Sequence, residues 1–180
     1  LVKESPLVKQ TKKRAAKWTK ASVFEDLKKR IVLQELLPGA SLNEKELMDF
    51  YGIGRTPLRE ALLKLESIQF VQIIPNRGTF VSPMDINKFK SVLEMRKPLE
   101  LLAIELALKR ITPKQIDQLE EILSCVENAD SRHEDVYKQL MLYEAEFHKI
   151  IYKATGNDML CETLQLLQII VIRFWMYMNK

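Results

Sequence analysis

The sequence predicts a mainly α fold: an N-terminal winged helix-turn-helix with a small β-hairpin wing, then a C-terminal all-α helical bundle. Three observations carry this. Three short helix patterns between residues 22 and 68 are followed by two short strand patterns around Pro75-Asn76-Arg77-Gly78. From Pro83 onward only long helical patterns occur. Charge divides near the same boundary: residues 1–86 hold 15 Lys/Arg against 10 Asp/Glu, and residues 87–180 hold 13 against 14. The expected division is a basic arm over 1–20, a winged helix-turn-helix over 21–84 and a helical domain over 85–180.

The arm carries seven basic residues, including Lys12, Lys13, Arg14 and Lys17, against one acid, Glu4. It reads either as a solubilising tail or as a phosphate-contacting extension. Ser22-Val23-Phe24-Glu25 has the spacing of a capping box, in which hydroxyl and carboxylate satisfy each other's orphan N–H groups. Apolar Val23, Leu27, Ile31 and Leu36 follow, and Pro38-Gly39 ends the first helix. A second box, Asn43-Glu44-Lys45-Glu46, opens a short helix to about Tyr51. Gly52-Ile53-Gly54 then turns into a third helix from Arg55 to about Ile68. Pro57 sits in its first turn, where a missing N–H costs nothing. Phe70 to Ile74 and Thr79 to Ser82 read as two strands. The later helices are expected over roughly 85–109, 113–128, 134–155 and 158–179. They are separated by Thr112-Pro113, Asn128-Ala129-Asp130-Ser131 and Thr155-Gly156-Asn157, all with stop or N-cap chemistry.

Composition narrows the class. At 180 residues, 47% hydrophobic and 29% charged, the chain is ordinary globular protein. Cys125 and Cys161 lack metal-binding or redox spacing, which fits two buried thiols in a reducing cytoplasm. The first 20 residues are basic and lack the apolar run of a secretory signal. Leu164 to Met178 is apolar but interrupted by Gln165, Gln168 and Arg173, which reads as a buried core helix and excludes the membrane as a partner. The chain starts without Met and stops after an apolar run with no evident C-cap, so both ends are expected to be incomplete.

The basic half points to an acidic partner, with nucleic acid first, although a solvated basic surface accounts for the charge alone. In the third helix Leu58, Ala61, Leu62 and Leu65 form the inward stripe. Arg55 and Arg59 lie one turn apart on another face, with Thr56 beside them. A guanidinium fork can pair two acceptors on guanine or clamp a phosphate. Such a cluster at a helix start is what entry into the major groove requires. Lys45 would sit near the same backbone. At the wing tip, Arg77 supplies a cation for the minor groove and Gly78 allows close approach.

Pro38-Gly39, Leu42-Asn43-Glu44-Lys45-Glu46-Leu47, Gly54-Arg55-Thr56-Pro57-Leu58-Arg59-Glu60-Ala61-Leu62 and Arg77-Gly78-Thr79-Phe80-Val81 together resemble the GntR family of transcription regulators. The second half is similar to that family's FadR-type helical effector domain, the FCD domain. The resemblance covers about residues 22–180 and implies DNA contacts from Lys45, Arg55, Thr56, Arg59, Arg77 and Gly78. Two departures stand out: Gly54 occupies a usual serine cap, and Lys45 a usual arginine.

Within the helical domain, Arg96 falls in the apolar stripe Phe89, Val92, Leu93, Leu99 and Ala103, where an unpaired charge is expensive. It reads as a buried salt bridge to Glu94 or Glu100 of a neighbouring helix, or as a cavity arginine for an anionic ligand. The similarity of Glu94-Met95-Arg96-Lys97-Pro98-Leu99-Glu100 to the family's first effector helix supports the cavity reading, and Pro98 should kink that helix. Glu144 and His148 stand four apart beside the stripe Leu140, Tyr143, Phe147 and Ile151. Such a pair is either hydrogen-bonded or able to share a divalent metal such as zinc. The resemblance implies the metal, which many family members hold through an Asp and a His at these positions plus two later histidines. Here the Asp position is Glu144, and the later histidines are absent because the sequence ends first. His133 is expected in an exposed loop.

The function expected is a homodimeric, ligand-responsive regulator that binds a double-stranded, pseudo-palindromic operator and senses a small carboxylate metabolite. The alternative is a non-sensing DNA-binding protein whose helical half only dimerises. A metal-dependent enzyme lacks a full set of ligands plus a general base, so no catalytic residue is assigned.

Overall fold

The computed structural model describes residues 18–129 and 136–179, so the basic arm before Trp18 and His133 lie outside the described residues. The chain divides into two compact units, Leu1–Met84 and Asp85–Lys180.

In the first unit, α1 spans Lys20–Val32. Its cap is Thr19, which forms a capping box with Ser22: the Thr19 side chain accepts from the Ser22 N–H, and Ser22 Oγ accepts from the Thr19 N–H. The expected Ser22–Glu25 box is therefore displaced by one turn, because Thr19 satisfies the same orphan donors earlier. The helix also stops earlier than expected. Leu33 caps it and Gln34 takes φ 59, yet Leu36 remains buried as part of the loop.

A two-residue strand, β1 (Ser41–Leu42), precedes α2 (Glu44–Tyr51). The Asn43 side chain caps α2 by accepting from the Lys45 and Glu46 N–H groups, and Gly52 ends it at φ 61. Helix α3 (Arg55–Ser67) buries Leu58, Ala61, Leu62 and Leu65, the stripe read from the sequence. Strands β2 (Val71–Ile74) and β3 (Gly78–Val81) form the wing hairpin. The sheet order is β1-β3-β2, antiparallel throughout, with Ser41 opposite Phe80 and Val71 opposite Val81. The hairpin is turned by Pro75, Asn76 at φ 60 and a bond from the Arg77 N–H to the Ile74 carbonyl at 3.0 Å. Asn tolerates that left-handed conformation and Pro presets the residue before it. Val23, Leu27, Ile31, Leu47, Leu58, Leu62 and Leu65 make a core from which water is excluded.

The second unit holds α4 (Ile86–Arg110), α5 (Pro113–Glu127), α6 (Val136–Ala154) and α7 (Asp158–Met178). Asp85, Thr112 and Asn157 supply side-chain caps for α4, α5 and α7. Helix α4 runs through Pro98 as one element. Its core against α6 and α7 is Ala103, Tyr152, Leu160 and Leu164, with a second cluster of Val92, Leu167 and Val171. Phe89 stacks on Phe174 at 3.8 Å between centroids. Leu93, expected in the buried stripe, is exposed. Cys125 is also exposed and Cys161 is half-buried, correcting the expectation of two buried thiols. Helix α7 is longer than the apolar run that marked it and, by length and composition alone, could cross a bilayer. Its buried apolar side chains, Leu160, Leu164, Leu167, Val171 and Ile172, nevertheless pack into the unit, and Gln168 and Arg173 are buried beside them, as fits a core helix.

Candidate functional site

The first group of candidates surrounds the start of α3. Gly54 offers no side-chain cap bond, as its lack of a hydroxyl dictates, so the first N–H groups of the helix are left without a side-chain partner. Arg55, Thr56 and Arg59 are all exposed. Burying the Leu58, Ala61, Leu62 and Leu65 stripe leaves the flank beside it in solvent, and Arg55 and Arg59 share that flank at a spacing of one turn. Helix α2 adds a residue that was read from sequence only as part of a cap. Glu44 Oε2 lies 3.4 Å from Arg59 Nε and 3.9 Å from Arg55 Nε. The arginine side chains are 60% and 69% exposed, whereas that of Glu44 is 27% exposed. One half-buried carboxylate thus anchors the base of two outward-reaching guanidinium groups. Lys45, the next residue of α2, is exposed.

On the wing, Arg77 and Gly78 are both exposed, and Gly78 sits at φ 105. This is backbone that an L side chain adopts only under strain. A Cβ added there would meet nothing within 4 Å, so conformation rather than crowding calls for glycine.

The second group lies among α4, α6 and α7. Arg96 Nη2 donates to Glu100 Oε1 at 2.5 Å and Nε donates to the same oxygen at 3.1 Å. Tyr152 Oη also donates to that oxygen, at 2.5 Å, and accepts from Arg96 Nη2 at 3.3 Å. The ion-pair partner of Arg96 is therefore Glu100 of its own helix, one turn on, while the neighbouring α6 adds only the Tyr152 hydroxyl. Burial works against the Arg96 charge, but the bonds to Glu100 and Tyr152 outweigh it and hold its pKa above the usual guanidinium value. Burial, then the bond to Glu100, pushes the Tyr152 hydroxyl well above the ordinary tyrosine value.

His148 stands beside this triad, its ring centroid 5.7 Å from that of Tyr152. Its Nδ1 lies 3.0 Å from the Glu144 carbonyl oxygen and 3.3 Å from Glu144 Oε1. The carbonyl can only accept, so Nδ1 carries the proton. Buried Gln168 donates through Nε2 to Glu144 Oε2 at 3.3 Å. The structure thus brings Glu144 and His148 together and adds Tyr152 and Gln168, neither of which the sequence singled out. Their only sequence signal is polarity inside apolar helical stripes. Among the described residues no group of three or more His, Cys, Asp or Glu side chains is gathered. Two donors fall short of the four that zinc takes. Gln168 directs an N–H at the carboxylate, as partners of a ligating carboxylate do, so Glu144 and His148 are two donors short of a complete divalent-metal site among the described residues.

Both segments of the chain match known families. Residues 19–81 match the family described as "Bacterial regulatory proteins, gntR family", and residues 91–179 match the FCD domain. The chain is 30% identical over 143 residues to the HTH-type transcriptional regulator McbR of Escherichia coli K12, covering 79% of this chain and 64% of the relative. It is 34% identical over 128 residues to the Nta operon transcriptional regulator of Aminobacter aminovorans, covering 71% and 60%. The solved structure of E. coli McbR/YncC superposes with a TM-score of 0.77 at 28% identity, over 89% of this chain and 74% of that one. The chain therefore spans less than two thirds of the length of the curated relatives it matches.

Proposed function

The chain belongs to the GntR family of bacterial regulatory proteins and carries an FCD domain, and from that membership we propose that it is a ligand-responsive transcription regulator acting on DNA in the cytoplasm. In this reading residues 21–84 bind DNA, residues 85–180 sense an effector and dimerise, and the arm over 1–20 adds phosphate contacts. A homodimer presents two recognition helices to the half-sites of a pseudo-palindromic operator. The observation that carries the reading is the exposed Arg55/Arg59 pair at the start of α3, on the flank beside its buried stripe. Arg59, Arg55 and Thr56 face base edges and phosphates in the major groove. Lys45 contacts the backbone, and Arg77 with Gly78 enters the minor groove.

In the helical unit Arg96 is the anchor for a small organic acid, whose carboxylate would take the place of the Glu100 carboxylate. A ligand can act only through unequal affinity for two arrangements of the protein, and an exchange of ion-pair partner supplies such a difference. A divalent metal at Glu144 and His148 would require ligands beyond those the described residues gather. The internal Arg96–Glu100 pair favours a second reading, in which the helical unit only dimerises. The two differ in whether any small carboxylate changes DNA affinity.

Site selection from randomised duplexes at fixed salt tests the DNA reading. Wild-type protein should recover a two-fold symmetric site, and Arg59→Ala should lose about 1–3 kcal/mol of preference at symmetric positions. Equal selection by both proteins would remove Arg59 from the reading set.

A further inference from the structure

We infer that Glu44 is a specificity-determining positioning residue: its half-buried carboxylate holds the Arg59 and Arg55 forks for base reading and penalises contact with backbone alone. This rests on the DNA reading proposed above.

The geometry has three parts. Glu44 is the first residue of α2, and the Asn43 cap fixes its backbone by accepting from the Lys45 and Glu46 N–H groups. Its side chain is less than half as exposed as those of the arginines it meets. The carboxylate approaches both arginines at Nε, where the stem joins the guanidinium. That approach leaves the outer Nη1/Nη2 edge of each fork, the edge able to pair with guanine O6 and N7. Without the acid, two guanidinium groups one turn apart repel each other and lose a common tether, so each samples more rotamers and finds phosphates as readily as bases.

Charge supplies the second effect. A carboxylate on a surface that approaches polyanionic DNA opposes any complex in which the arginines do not compensate for it. Binding without base pairing therefore suffers more than binding with it, and an unfavourable group raises discrimination in this way. Exposed ion pairs contribute little to folding, so Glu44→Gln should fold like the parent, and its effect is readable in DNA binding.

The experiment compares wild type, Glu44→Gln, Arg59→Ala and the double variant on the operator recovered by selection, on that operator changed at the position Arg59 reads, and on random duplex, across a salt series. Glu44→Gln should bind random duplex a few-fold more tightly and with a steeper salt dependence, because freed arginines add phosphate contacts. Its discrimination at the Arg59 position should fall about five- to tenfold. In the Arg59→Ala background the same substitution should leave discrimination at that position unchanged. Unaltered discrimination in Glu44→Gln, with Arg59→Ala still losing the site, overturns the inference and leaves the DNA reading standing. An undiminished effect in the Arg59→Ala background also overturns it. So does an effect confined to a different base pair, which would make Glu44 a direct reader of a cytosine amino group. If wild type selects no site, the DNA reading and the inference built on it fall together.

Discussion

Replacing Glu100 by glutamine separates an arginine that is merely neutralised from one that is held for a ligand. Glu100 Oε1 receives Arg96 Nη2, Arg96 Nε and Tyr152 Oη. The amide oxygen of glutamine can keep an acceptor there, but without its charge. An exposed ion pair contributes about 0–1 kcal/mol, and removing one partner of a buried pair costs about 3–5 kcal/mol. The two side chains are only 12% and 22% exposed, so the cost lies nearer the second limit. Since one acceptor is retained, the loss should be on the order of 2–3 kcal/mol. For a unit of about 100 residues that lowers Tm by roughly 10–20 °C. Thermal unfolding of the full chain, followed by circular dichroism with and without malonate, reads both consequences. Malonate should raise the Tm of Glu100→Gln more than that of wild type, because Arg96 no longer has an internal carboxylate to leave. A Tm within about 2 °C of wild type would show that solvent already screens the pair. Equal response to malonate in both proteins would remove Arg96 as the anchor.

Three further outcomes follow from particular contacts. The Tyr51 hydroxyl is raised above its ordinary value of 10.0 by burial, and then by the bond it donates to Asp26. A raised acid contributes stability that is complete below pH 10 and is lost as pH climbs toward the folded-state value, so Tyr51→Phe should flatten the alkaline decline of Tm between about pH 9 and 11. Gly78→Val has room for its Cβ but must hold φ 105, which costs about 1–3 kcal/mol; urea unfolding reads that cost, and operator affinity should fall further than stability does. Thr19→Ala removes the hydroxyl half of the α1 capping box and should cost about 1 kcal/mol in urea, whereas Glu25→Ala should leave α1 capped.

Sequence was most informative where a local rule is self-contained. Asn43 and Gly52 bracket α2 where expected, because an acceptor side chain and a left-handed glycine each act within four residues. The α3 stripe was legible because it repeats one period over a whole helix. Two competing caps three residues apart were not resolvable by pattern, since Thr19 and Ser22 offer the same hydroxyl chemistry. Strand β1 was missed for a different reason. Two residues carry no period, and Ser41 and Leu42 are strand only because β3 lies beside them. The same limit applied to the sites. Arg96 and Glu100 are a visible i, i+4 pair, but Tyr152 lies more than fifty residues further along and reaches them only through packing of α6 on α4. Glu44 was visible as a cap residue and not as the tether of Arg59, which is fifteen residues away.

In the proposed reading, Arg55 and Arg59 on one side and Arg96 on the other meet opposite demands. Arg55 and Arg59 stand mostly in solvent with one shared carboxylate at their stems. Meeting DNA therefore requires little loss of protein bonding, and steering by the basic unit can act on groups already outside. Arg96 is enclosed, with Glu100 and Tyr152 taking three of its contacts. An anion reaching it must replace a carboxylate already within bonding distance, and the displaced Glu100 must find water or another donor. In the proposed reading, that exchange would lower apparent affinity and would give α4 and α6 a second set of contacts. Tyr152 is tied to both, being fully buried and bonded to each member of the pair. Tyr152→Phe should therefore weaken any dependence of DNA affinity on a small carboxylate while leaving DNA binding itself intact. If DNA affinity responds to carboxylate as strongly in Tyr152→Phe as in wild type, the response does not pass through Arg96.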